Sequence, residues 1–125
     1  MIADTTFLVH VLAEQRSRRR GPATVFLAGN RNVVRTSIIS LAEVAVSFLT
    51  TERAWEYFMM SRWSVYRLHD GIAKAAADLE RELRNRGRLG ENDNWIAGFC
   101  RYDREPVISL DQAFDRVPGL RRISY

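Results

Sequence analysis

Short β-like runs alternate with helical stretches along the whole chain, and this alternation restricts the possible folds more than any other feature. Ile2–Asp4 reads as a first strand and Thr6–Glu14 as an apolar helix. Arg16–Pro22 is a basic connection, and Ala23–Ala28 forms a further helix ended by Gly29. Val33–Thr36 is β-branched and strand-like. Helices are expected over Ser40–Thr50, capped by Ser40, and over Glu52–Arg62, with Trp55, Phe58 and Met59 on one face. Ser64–Leu68 is a third strand. The clearest helix spans Asp70–Arg86, because Ile72, Ala76, Leu79 and Leu83 repeat at helical spacing. Gly87 can end that helix, and Glu80–Arg84 and Glu82–Arg86 can pair along it. A helix from Asn92 to Asp103, a strand over Pro106–Leu110, a short helical piece holding Phe114 and a last strand over Leu120–Ser124 complete the series. Strands separated by helices call for a parallel sheet covered on both faces, an α/β fold.

At 125 residues the chain fits one domain, 1–125, large enough to bury a core without staples. Its single cysteine, Cys100, excludes an internal disulfide, and with only His10 and His69 beside it a Cys/His zinc site is excluded as well. The thiol is expected to be a small buried apolar group. The apolar stretch Phe7–Ala13 is too short to span a membrane, and no positive charge precedes it as in an export signal, so the cytoplasm is the expected compartment. The net charge is +4, and Lys74 is the only lysine among nineteen basic residues. Arginine's planar fork suits phosphate, so this balance favours a nucleic acid or an acidic protein partner.

Four carboxylates stand apart from the mixed, solvated charge elsewhere. Asp4 is the only ionised side chain between Met1 and Ala13, and Glu43 the only one between Thr36 and Thr51. Asp93 opens a helix whose buried face would be Ile96, Ala97 and Cys100. Asp111 follows the apolar run Pro106-Val-Ile-Ser-Leu. Carboxylates in apolar surroundings are costly unless paired or metal-bound. Asp4 and Asp111 each follow a strand, and open parallel sheets form ligand sites at the carboxyl ends of their strands. Four acids gathered there would repel one another, and oxygen-only ligands suit Mg²⁺ or Mn²⁺. Each acid also has a simpler reading: Asp4 and Asp93 as helix caps, Glu43 pointing to solvent between Ser40 and Ser47, Asp111 as a turn residue.

The segments Ile2-Ala-Asp-Thr-Thr, Ile39-Ser-Leu-Ala-Glu-Val, Gly90-Glu-Asn-Asp-Asn-Trp-Ile-Ala-Gly, Pro106-Val-Ile-Ser-Leu-Asp-Gln-Ala-Phe and Val117-Pro-Gly-Leu-Arg follow one another in the order of the PIN-domain family. The chain resembles in particular the VapC-type toxins of VapBC toxin–antitoxin pairs. The resemblance implies a three-layer α/β/α sandwich with a mostly parallel central sheet. It implies endonucleolytic RNA cleavage with Mg²⁺ or Mn²⁺, homodimerisation and inhibition by a cognate antitoxin. It places Asp4, Glu43, Asp93 and Asp111 in the acidic site, with Asp4, Asp93 and Asp111 as ligands and Glu43 as either a ligand or the group that orients the attacking water. Ser109 takes a hydroxyl position beside the last acid where threonine is commoner, and Gly98 stands where the family usually has alanine.

Arg16, Arg18, Arg19 and Arg20 form the densest basic cluster, read either as contacts to the RNA backbone or as a solvated loop. Trp95, Phe99 and Tyr102, and Trp55, Phe58, Met59 and Trp63, form aromatic groups suited to core or interface. His10 reads as a packed histidine, and His69 has no assigned role. No Ser/His/Asp or Cys/His catalytic set and no glycine-rich phosphate loop is present. Three functions are compatible with the site: a ribonuclease toxin, a housekeeping PIN nuclease acting on RNA or DNA, and an idle module that binds RNA or a partner.

Overall fold

The computed structural model describes residues 1–125. Five strands and six helices follow in the order β1 (Ile2–Ala3), α1 (Thr5–Arg16), α2 (Pro22–Asn30), β2 (Arg35–Ser37), α3 (Ile38–Ala45), α4 (Thr51–Met60), β3 (Ser64–Tyr66), α5 (Asp70–Leu83), α6 (Glu91–Asp103), β4 (Val107–Ile108) and β5 (Arg122–Ile123). A 3₁₀ turn over Gln112–Arg116 precedes β5. Every strand pairing is parallel, in the order β3-β2-β1-β4-β5.

The strands are two or three residues long, yet their alternation is enough to build two cores. Successive side chains leave opposite faces of a sheet. Ala3 and Ile108 therefore join Phe7, Val11, Leu27, Val44 and Phe58 under α1–α4. Ile2 and Val107 join Ile72, Leu79, Leu83, Ile96, Phe99 and Phe114 under α5 and α6. This is the expected three-layer sandwich. Each fully buried aromatic or aliphatic side chain contributes roughly 1.5–3 kcal/mol, so the helices carry the stability that such short ladders cannot.

Several boundaries differ from expectation. Ser37, not Ser40, caps α3: its Oγ accepts the Ser40 N–H at 3.0 Å. That helix stops at Ala45, well short of Thr50. Gly29 lies inside α2, which runs on to Asn30. Helix α5 ends at Leu83, while Gly87 takes φ +96° in the loop beyond. With the helix ending there, Glu80 pairs with Arg88 and Glu82 with Arg101 on α6, replacing the expected pairs along α5. His69 does have a role: its Nδ1 accepts the Gly71 N–H at 3.2 Å and caps α5. Gly98 packs where α6 meets α5, and a Cβ there would stand 2.9 Å from that of Ala76, which accounts for the missing alanine. No helix is long and apolar enough to cross a membrane.

Candidate active site

The chain builds β1, β2 and β3 outward in one direction, then returns to add β4 and β5 on the other side of β1. The order reverses between β1 and β4, and at such a switch point the carboxyl ends of the strands open a crevice. Asp4 directly follows β1, and Ser109 and Asp111 follow β4. Helix α6 leads back into β4, so its first turn, holding Asp93, lies at the same edge. Glu43 is on α3, which leaves the carboxyl end of β2.

Asp4 is buried, and its Oδ1 caps α1 by accepting the Phe7 N–H at 2.7 Å. Burial pushes its carboxyl above the usual range, against hydrogen bonds from Ser109 and Phe7. Asp93 sits in the first turn of α6, whose cap residue is Gly90, so it is not itself the cap. Burial raises its carboxyl too, followed by repulsion from Asp111, Asp4 and Glu43 in that order. Asp93 thus feels all three of the other acids. Asp111 is exposed, and its Oδ1 accepts the Ala113 N–H at 2.7 Å to start the 3₁₀ turn. Ser109 is fully buried, and its Oγ accepts the Asp111 N–H at 2.9 Å while bonding to Asp4. It links the first and last acids.

Glu43 does not point to open solvent. It is half-buried, with one carboxylate oxygen accepting from the Thr5 hydroxyl and the other from Asn92 Nδ2 at 2.5 Å. Sequence reasoning missed Thr5 and Asn92, although each is the chain neighbour of an acid it singled out. It also missed Arg122, which donates to the Ser109 carbonyl at 3.2 Å and pairs with Asp115 at 2.8 Å.

The donor set fits a hard divalent cation. All four side chains offer oxygen, two resist ionisation because they are buried and crowded, and a cation relieves both costs. As placed, no three His, Cys, Asp or Glu side chains are arranged to hold a metal ion, and Asp4, Asp111 and Glu43 each accept hydrogen bonds from the protein.

The PIN domain family pattern matches residues 1–120. The chain belongs to the PIN-domain family. Solved structures of similar fold include a chain of VapBC2 from Rickettsia felis bound to a DNA fragment from their promoter. That chain is 18% identical, with 99% of this chain and 97% of that one covered and a TM-score of 0.81. DNA-bound VapBC from Salmonella typhimurium is 22% identical, with 98% and 96% covered and a TM-score of 0.78. FitAB bound to an IR36 DNA fragment is 16% identical, with 98% and 93% covered and a TM-score of 0.77. No curated protein matches the chain.

In this PIN domain the basic cluster lies away from the acids. Arg16 ends α1, and Arg18, Arg19 and Arg20 follow it, all exposed. Asp4 caps the other end of that twelve-residue helix, about 18 Å away along its axis. Arg16 rests on the Phe48 ring at 4.8 Å. Cys100 is buried as expected, and burial pushes its thiol far up, so it is no nucleophile.

Proposed function

We propose that this PIN domain, a single domain over 1–125, is a Mg²⁺- or Mn²⁺-dependent endoribonuclease and the toxin of a toxin–antitoxin pair. The observation that carries the reading is placement: Asp4 follows β1, Glu43 lies on α3, Asp93 opens α6 and Asp111 follows β4, so four elements deliver acids to one switch point, where burial and then repulsion raise Asp93. Asp4, Asp93 and Asp111 would hold the cation, which when bound supplies activation of water and neutralisation of phosphate charge. Ser109 keeps Asp4 and Asp111 in fixed relation, and Glu43 accepts a hydrogen bond from the attacking water. Arg16, Arg18, Arg19 and Arg20 contact the RNA backbone several nucleotides from the cut.

The likeness to chains crystallised in VapBC complexes supports an antitoxin partner, and the family resemblance implies a homodimer. A groove of about 350 Å³ between α3 and α4, lined by Val46, Phe48, Leu49 and Trp55, offers an apolar seat for an antitoxin segment. A basic antitoxin side chain would meet the four acids.

The deciding experiment follows cleavage of labelled RNA and DNA by purified protein with and without Mg²⁺. RNA cleavage that chelation abolishes and Asp93→Asn removes is expected. Cleavage of DNA instead points to a housekeeping nuclease, and binding without cleavage to an idle module. Expression of the chain alone should slow growth, Asp93→Asn should not, and the product of a neighbouring gene should restore growth. Harmless expression of protein that cleaves RNA in vitro would remove the toxin role.

A further inference from the structure

The acids of the site differ in how much of each carboxylate the protein has already engaged. Asp93 accepts no side-chain or capping hydrogen bond, Asp111 gives one oxygen to a backbone N–H, Asp4 does the same with Ser109 beside it, and Glu43 alone has both oxygens taken by side chains. The two donors on Glu43 come from different helices, Thr5 from the first turn of α1 and Asn92 from the first turn of α6. Each is adjacent in the chain to another acid, Thr5 to Asp4 and Asn92 to Asp93. The position of Glu43 is therefore tied to the backbone at two of its partners, and α3 is stapled to both helices at the mouth of the crevice.

We propose that Thr5 and Asn92 are positioning residues for Glu43, clamping both its oxygens so that it faces the reacting water from outside the ligand set of Asp4, Asp93 and Asp111. This rests on the nuclease reading above and assigns the role of Glu43 within it. A carboxylate has about four acceptor positions, so two donors leave two for water. Hydrogen bonds to a charged acceptor are short and strong, and two of them from separate helices fix its orientation. Each Glu43 oxygen already holds one donor, so an ion competing for it would disturb the clamp, whereas Asp93 carries no such bond.

The clamp predicts a division that the acidic set alone does not. Mn²⁺ binding, followed by electron paramagnetic resonance on wild-type protein, should change by less than about 3-fold in Glu43→Gln, and weaken by about 10–100-fold in Asp93→Asn. Thr5→Val and Asn92→Ala should lower kcat by about 10–100-fold with KM and Mn²⁺ affinity held, and Thr5→Ser should restore kcat. Without metal, the loss of Tm in the double variant Asn92→Ala/Glu43→Ala should be smaller than the sum of the single losses.

Loss of Mn²⁺ binding in Glu43→Gln as deep as in Asp93→Asn overturns the placement of Glu43. Wild-type kcat in both Thr5→Val and Asn92→Ala, or additive Tm changes, overturns the clamp. Failure of the nuclease reading is distinct. There, wild-type protein leaves RNA intact and binds no Mn²⁺, which ends the assignment of roles, while the metal-free Tm cycle still reports whether Asn92 and Glu43 are coupled.

Discussion

Asp4 meets two opposing demands. As the cap of α1 it needs an acceptor oxygen for the Phe7 N–H, while burial and nearby Asp111 disfavour its charge. Asparagine caps a helix about as well as aspartate and carries no charge. Asp4→Asn should therefore raise the Tm of the metal-free protein at neutral pH while abolishing RNA cleavage. A carboxyl whose folded pKa is raised contributes stability that is fully present below its unfolded value, near 3.8 for Asp4, and lost as pH rises through the folded value. The gain from Asp4→Asn should accordingly disappear in melts at acid pH; a gain that persists there would mean the cause is packing. At the other end of α6, Arg104 takes φ +55°, a left-handed conformation that suits glycine. Arg104→Gly should stabilise by roughly 0.5–1 kcal/mol in urea titrations.

Helices α5 and α6 approach each other closely at Gly98. Alanine there would gain about 1 kcal/mol of helix propensity but force apart backbones already in contact at Ala76, which costs about 1–3 kcal/mol. Gly98→Ala should thus lose about 1 kcal/mol net in chemical denaturation. Helix α2 is capped from outside: the Glu14 carboxylate on α1 accepts from the N–H groups of Gly21, Ala23 and Thr24 and from the Thr24 hydroxyl. Those donors outweigh the burial that would raise Glu14, so its carboxyl lies below the usual range. Glu14→Ala should cost about 1 kcal/mol at neutral pH, the stabilisation being present above the unfolded pKa and lost on acidification. Periodicity made the elements legible, since α5 shows its buried face in Ile72, Ala76, Leu79 and Leu83 as plainly in the sequence as in the fold. The isolation of Asp4, Glu43, Asp93 and Asp111 likewise marked acids that the fold brings within electrostatic reach. What stayed hidden depends on partners distant in the chain. Glu14 looked like a surface acid at a helix end, Arg101 drew Glu82 away from Arg86 across the α5–α6 interface, and Asn92 gains meaning only when α3 arrives beside it.

Across the whole molecule the two edges of the sheet respond to acid in opposite ways. At the carboxyl edge Asp4 and Asp93 are held up by burial. At the amino edge burial also opposes the charge of Glu105, but the Met1 amino group, the Tyr66 hydroxyl and Arg35 at 3.0 Å outweigh it and hold its carboxyl below the usual range. Acidification therefore relaxes the carboxyl edge first and weakens the amino edge only as pH falls below the usual carboxylate range. Charge is also laid out unevenly, with Arg18, Arg19 and Arg20 consecutive and exposed just beyond α1. On the proposed reading, neutralising Arg18, Arg19 and Arg20 should flatten the salt dependence of RNA binding by about 2 in log–log slope, read by fluorescence anisotropy. An unchanged slope would return the cluster to a solvated loop. Because Asp4 caps one end of α1 and Arg16 closes the other, on the proposed reading that helix would act as a ruler: an oligonucleotide too short to span it would be cut without touching the arginines, and only longer strands would be favoured by them.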